Sequence, residues 1–201
     1  EDNTESGGVA VAAAVGVNVG IATTTASVAR GRTITSTGGA LKVTSANETD
    51  TTATADGSQV DPGNTSVGVG AAVALNAGIS TNVAVVGDDA VVNTEGLTIS
   101  AVNVTGKSSD AKATAKSGAG AGDVGVAGSL AANVAINTTV ASLEGDTQVG
   151  GNGTGATVDA GAGDILIEAG NKTTATVISG ADVKGTDDKA KVGVGASIGV
   201  N

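Results

Sequence analysis

The sequence predicts an all-β fold, a repetitive parallel β-solenoid with about 57 residues in each sequence repeat. Three observations carry that expectation: internal repetition, a strand-type alternation inside each repeat, and a complete lack of aromatic side chains. An antiparallel β meander or a two-layer β-sandwich built from the same strands is the alternative.

The repetition is read first. "VAVAAAVGVNVGIATTTASV" (Val9–Val28), "VGVGAAVALNAGISTNVAVV" (Val67–Val86) and "VGVAGSLAANVAINTTVASL" (Val124–Leu143) align without a gap, and "VGVGASIGVN" (Val192–Asn201) opens a fourth copy. Asn18, Asn76, Asn133 and Asn201 share one column, spaced by 58, 57 and 68 residues. A second patch recurs as "ALKVTSAN" (Ala40–Asn47), "GLTISAVN" (Gly96–Asn103) and "DILIEAGN" (Asp164–Asn171). The longer third interval falls before that patch, in the Gly-rich "GGNGTGATVDA" (Gly150–Ala160), and an insertion confined to one junction is what a stacked array tolerates. The chain therefore reads as one continuous array over residues 1–201. Its repeats span about 9–66, 67–123 and 124–191, with a truncated fourth at 192–201 and an insertion at 150–160.

Each long stretch alternates with period two. In Val67–Val86 one face carries Val67, Val69, Val73, Leu75, Ile79, Val83 and Val85, and the other carries Gly68, Gly70, Ala72, Ala74, Asn76, Gly78 and Ser80. That is strand chemistry. Glycine at this density would cost a helix about 1 kcal/mol per residue. The second patch alternates as well, and the tracts "TDTTATAD" (Thr49–Asp56) and "DAKATAK" (Asp110–Lys116) read as polar-faced strands. All thirty charged residues lie outside the three long stretches, which places them in turns and shorter strands. Stacking puts like residues above one another. The bulky aliphatic columns are expected to bury each other, each CH₂ contributing about 0.8 kcal/mol. The small Gly/Ala face is expected either to meet solvent or to pack closely on a second layer or a neighbouring molecule. One repeat fits a single broad flattened turn or three turns of about 19 residues, although no 19-residue self-similarity is present.

Composition excludes several functions. A chain of 201 residues would ordinarily carry on the order of fifteen aromatics; this one has no Phe, Tyr, Trp, Cys, Met or His. Rings fill thick cores, so their absence points to a thin interior. A net charge of −10 makes nucleic acid a poor partner, since phosphate needs clustered Lys and Arg and base stacking needs rings. Without His or Cys there is no general base, nucleophile or metal centre of the usual kind, and the only arginines, Arg30 and Arg32, share one turn; the expectation is no enzyme and no cofactor. No membrane insertion is expected, because a spanning barrel requires aromatic girdles and a helix over Val67–Val86 would bury Asn76, Ser80, Thr81 and Asn82. Paired threonine columns of an ice-binding face fail at Thr25, whose column continues as Val83 and Val140.

The polar features have mundane readings beside functional ones. The Asn column reads as a structural ladder of side-chain amides, as in stacked cross-β layers, rather than a binding site. Calcium has weak candidates in Asp88, Asp89, Asp123, Asp187 and Asp188. "GAGAGDVGV" (Gly118–Val126) has only part of the glycine pattern of a calcium-binding nonapeptide, and it occurs once. The expectation is that these acids are solvated charges guarding strand edges. Six Asn-x-Ser/Thr sites at Asn47, Asn64, Asn103, Asn137, Asn152 and Asn171 are what so Thr-rich a composition gives by chance. The acidic opening Glu1-Asp2-Asn3 has none of the basic character of a secretion signal, so targeting is expected to lie outside this segment. The lack of Cys is compatible with export.

"VGVAGSLAANVAINTTVASLEGDTQV" (Val124–Val149) and "GDILIEAGN" (Gly163–Asn171) resemble the repeats of filamentous-haemagglutinin-like and autotransporter-like bacterial surface adhesins. The resemblance covers nearly the whole chain and rests on small residues. It implies an exported β-solenoid stalk or filament, extracellular or at the cell surface, giving length, stiffness and protease resistance. The implied partners are neighbouring repeats or copies of the same chain. Two other expectations stand beside it: a self-assembling fibre subunit packed laterally through its Gly/Ala faces, and a calcium- or ligand-binding solenoid module. No receptor is implied, and no catalytic or ligand residue is carried over.

Overall fold

A computed structural model describes residues 8–59, 65–145, 155–185 and 192–201. The chain winds through four short parallel sheets. The first circuit comprises β1 (Gly8–Val28), β2 (Thr33–Thr35), β3 (Leu41–Asn47) and β4 (Thr51–Ser58). The second comprises β5 (Thr65–Val86), β6 (Val91–Asn93), β7 (Leu97–Asn103) and β8 (Ser109–Ala121). The third comprises β9 (Val124–Leu143), β10 (Thr157–Asp159), β11 (Ile165–Ala169) and β12 (Thr173–Gly185), and β13 (Val192–Val200) starts a fourth. Corresponding strands stack: sheet A is β1-β5-β9-β13, sheet B β2-β6-β10, sheet C β3-β7-β11 and sheet D β4-β8-β12, with parallel pairing throughout. The fold is a parallel β-solenoid, not a meander, because every ladder joins strands from successive circuits.

Register follows the sequence columns. Val11 pairs with Val69, Ile21 with Ile79 and Asn18 with Asn76, and the next layer adds Val126, Ile136 and Asn133. The circuits turn at short loops. Gly87 N–H donates back to Val28 O, Ala90 N–H closes the turn onto Gly87 O, and Asp89 inside it has φ 55°. Asp is one of the few side chains that tolerates that left-handed backbone. Gly96, at φ 113°, is a position open in practice only to glycine, and it delivers the chain into sheet C.

The coil is flattened. Sheet A forms one broad side, sheets D and C return along the other, and sheet B closes one end. The 22 residues of β5 extend about 70 Å, while each circuit adds only about 4.8 Å along the stack.

Of the two faces of sheet A, the small one takes one of the places the sequence allowed it, and the aliphatic one is placed opposite to the expectation. Its small face points inward: Ala72, Ala74, Asn76, Ser80, Asn82, Ala84, Ala127 and Ala131 are buried. Its aliphatic face points outward, with Val15 74%, Ile21 71% and Val134 53% exposed. The bulky columns do not bury each other in the interior, and the Gly/Ala face of the central strands β5 and β9 is largely closed off from solvent. It packs on the second layer of its own chain. The physical reason is sheet D, whose inward residues are Ala53 and Ala55 in β4 and Ala111, Ala113 and Ala115 in β8. Two small faces fit each other across a gap too narrow for valine. A Cβ at Gly70 would strike the Gly118 carbonyl, one at Gly68 the Gly120 carbonyl, and one at Gly16 the Thr54 carbonyl. Near sheet B the gap opens, and Val28, Val43, Val86, Val92, Leu97 and Ile99 fill it.

Candidate functional site: an amide ladder inside, an aliphatic face outside

Two features stand out above the scaffold. One is a line of buried amides where the thin interior must satisfy polar groups. The other is the uncharged outer face of sheet A.

The four predicted asparagines come together. Asn18 Nδ2 donates to Asn76 Oδ1 at 3.0 Å, Asn76 Nδ2 to Asn133 Oδ1 at 2.8 Å, and Asn133 Nδ2 to Asn201 Oδ1 at 3.0 Å. Three of the amides reach across the interior as well. Asn76 Nδ2 also donates to Thr51 Oγ1 at 2.9 Å, Asn133 Nδ2 to Ala111 O at 3.2 Å, and Asn201 Nδ2 to Ala175 O at 3.5 Å. The two amide hydrogens thus do different work: one runs up the stack, the other ties sheet A to sheet D. Asn76 and Asn133 are 3% and 2% exposed, so these bonds meet polar groups that water does not reach. The two inner members, Asn76 and Asn133, spend both amide atoms on the chain itself, which makes the ladder a structural fastener.

A second polar cluster, absent from the sequence-level expectations, lies where sheets C and D meet beneath sheet A. Asn82 Nδ2 donates to Val102 O at 2.7 Å, and Ser45 Oγ donates to Asn82 Oδ1. Asn47 Nδ2 donates to Thr24 Oγ1 at 3.1 Å, and Lys172 N–H donates to Asn103 Oδ1 at 2.6 Å. A signal for it was present: the second patch ends in Asn in all three copies, at Asn47, Asn103 and Asn171. Within sheet D, Ser117 Oγ is buried without a hydrogen-bond partner, as is Thr114 Oγ1.

The acidic candidates do not converge. Asp88 and Asp89, in the turn after β5, meet Arg30 of the stacked turn after β1, whose guanidinium lies 3.1 Å from Asp88 and 3.0 Å from Asp89. That arginine already supplies the positive charge at the turn. Asp123 sits at the entry to β9, where its carbonyl accepts from Val192 N–H at 2.9 Å. Asp187 and Asp188 lie outside the described residues. Among the described residues no three acidic side chains gather as a metal site. A groove of about 360 Å³ at the end of sheet B is lined by Thr35, Ser36, Asn93, Glu95 and Asp159, hydroxyls and carboxylates without a base–nucleophile pair.

The two broad outer faces differ chemically. No residue of β1, β5, β9 or β13 is charged. The outward positions of sheet D include Asp56, Asp110, Lys112, Lys116, Asp182 and Lys184. Asp56 is held below the ordinary carboxylate range, chiefly by hydrogen bonds from the Ser58 hydroxyl and N–H, with Lys116 adding a smaller attraction. Compared with protein-family models, with curated proteins and with solved structures, the chain shows no match.

Proposed function

We propose that this chain is a structural segment of an extracellular bacterial adhesin or surface filament, built to be stiff and resistant to proteolysis. The observation that carries the reading is the in-register stacking of successive circuits, with the amide ladder running through Asn18, Asn76, Asn133 and Asn201. Stability in such a stack grows with every added layer, because each layer supplies contacts to the next. The strands of the middle layer and β9, from β5 to β9, are held in ladders on both sides, which leaves a protease few extended segments to bind there. The likeness of the repeats to those of filamentous-haemagglutinin-like adhesins points the same way.

Geometry refines what such a segment contributes. A circuit adds about 4.8 Å of height but about 70 Å of breadth. Length in this architecture requires many repeats, whereas breadth and stiffness come with few. Negative-stain microscopy of the native protein tests the reading. Uniform ribbons about 70 Å across their broad dimension are expected, and compact particles without a long axis would refute it. Limited proteolysis should cut first at the turns between sheets and spare the long strands.

A further inference from the structure

We propose that the outer face of sheet A is a docking surface for a second copy of this chain, joined face to face about a two-fold axis. This inference goes beyond the stalk reading and does not depend on it, since the same pairing would occur in a free-standing segment.

The first argument is area. Three strands of 20 to 22 residues and one of 9 give sheet A an outward face of about 1,000 Å². The largest apolar patch on a typical monomer is about 300–600 Å², and a stable complex needs about 800 Å² from each partner. The face therefore suffices for a dimer. It is also larger than a lone soluble molecule ordinarily leaves bare.

The second argument is relief. Ala13, Ala71, Gly128 and Ala196 pair successively across all four strands and form a shallow trough at right angles to them. A Cβ at Gly128 would meet nothing within 4 Å, so the trough opens outward. The column Val11–Val69–Val126–Val194 stands as a ridge on one side, and Val15–Val73–Leu130–Ile198 on the other. Ridge and trough on one surface are what a self-complementary interface requires: after a two-fold rotation each ridge can seat in the other copy's trough. Two aliphatic sheets then pack about 10 Å apart, as in a β-sandwich.

Charge selects the partner. The face carries no charge to match a charged protein, and the charged side chains of the described residues all lie outside sheet A, away from the contact. A pair therefore buries no charge at its contact. An anionic bilayer would be repelled by the acidic turns, and the face lacks the aromatic and basic rim of a membrane-binding surface.

Sedimentation equilibrium on the full chain tests the proposal. The wild type is expected as a dimer at micromolar concentration. Val69→Glu combined with Ile79→Glu should weaken it by about 100-fold or more, because four carboxylates would be buried in one interface. Ala71→Leu, which fills the trough without adding charge, should weaken it less and needs no change in the interior. Thr52→Glu with Thr176→Glu on the outer face of sheet D should leave it unchanged. Circular dichroism confirms that each variant keeps its strands. A wild type that stays monomeric at about 1 mM overturns the proposal. So does a dimer that survives the glutamate pair, which would place the contact at the sheet edges. So does a monomer that instead floats with phosphatidylcholine vesicles, which would make lipid the occupant.

Discussion

The two ends of the interior are built from the same strands yet obey opposite rules. Near sheet B, Val86, Val92, Leu97 and Ile99 are completely enclosed, and the sheets stand far enough apart to hold them. Between sheets A and D the enclosed side chains are Ala53, Ala55, Ala72, Ala74, Ala113, Ala115 and Ala131. One end is a small aliphatic core, and the other is a backbone-to-backbone contact with methyl groups for filling. The difference shows that burial here is set by the gap between sheets rather than by the hydrophobicity of the residue. Where the gap is narrow, alanine and glycine go in and valine goes out.

That contrast breaks first if the narrow end accepts bulk. Gly70→Val places a side chain against the Gly118 carbonyl, a backbone atom that cannot rotate away. The sheets would have to separate along several rungs, so a loss of about 3 kcal/mol or more is expected, at or beyond the upper range of overpacking. Ala74→Leu, at a site with no exposure, should behave similarly. Chemical denaturation reads both. A variant that melts with the wild type would mean that the gap is wider than the glycine contacts indicate.

The wide end should respond to the reverse change. Ile99→Ala leaves a cavity among Leu97, Val86 and Val92 and should cost about 2–5 kcal/mol, whereas Ile99→Val should cost about 0.5–1.5 kcal/mol. Denaturation midpoints of the two variants, compared with Gly70→Val, separate a core that misses volume from a contact that cannot gain it.

Between these ends lies the amide ladder, and its loss should fall in the middle of the range. Asn76→Ala removes the acceptor of Asn18 and the donor to Asn133 and Thr51, leaving polar atoms in a dry interior. A cost of about 1–3 kcal/mol is expected. Asn76→Asp keeps the shape but replaces a donor with a charge, and should be worse at neutral pH than below about pH 4. Melting at both pH values distinguishes a hydrogen-bonded ladder from an amide that merely fills space.

How much of this was legible in the sequence follows from the same contrast. Alternation and column identity predicted strands, their stacking and the Asn18–Asn76–Asn133–Asn201 line, because in-register stacking pairs equal residues. The orientation of sheet A was not legible from hydrophobicity, since neither face bears a charge and valine is ordinarily the buried residue. The deciding signal was relational. The alternate residues of Thr51–Ala55 and Ala111–Ala115 include Ala53, Ala55, Ala111, Ala113 and Ala115, a small face that fits only another small face. The asparagines gave a second hint, because a ladder of amides has most to gain where water is excluded, and they lie on the Gly/Ala side. The cluster of Asn82, Ser45 and Asn47 was missed because its partners come from three different columns, which no single repeat register reveals.

A gentler test of the narrow end is deletion. Ser117 Oγ is buried within sheet D and finds no partner, so its hydroxyl lost hydration on folding without compensation. Ser117→Ala removes that oxygen while keeping the size that the gap accepts. The variant should gain about 1 kcal/mol, or about 2–4 °C in a domain of this length. An unchanged or lowered melting temperature would show that the oxygen is satisfied, for example by a trapped water.

The smallest effect belongs to the solvent side of the same layer. Asp56 points outward from β4 while Gly57 beside it points in, and its carboxylate accepts from Ser58 N–H at 3.0 Å with Lys116 on the neighbouring rung. These contacts hold its pKa below the ordinary value in the folded chain. The stabilisation they confer is therefore present above the unfolded carboxylate pKa, near 3.9, and is lost as pH falls through the lower folded value. Because the group is almost fully exposed, water and salt screen most of the attraction. Asp56→Asn should lower melting at neutral pH slightly, by about 1 °C or less, and the difference from the wild type should vanish as pH falls through the lowered folded value. A large loss at pH 7 would instead make this strand end part of the fold's support, and would place an energetic weight on the outer side of sheet D that its exposed geometry does not suggest.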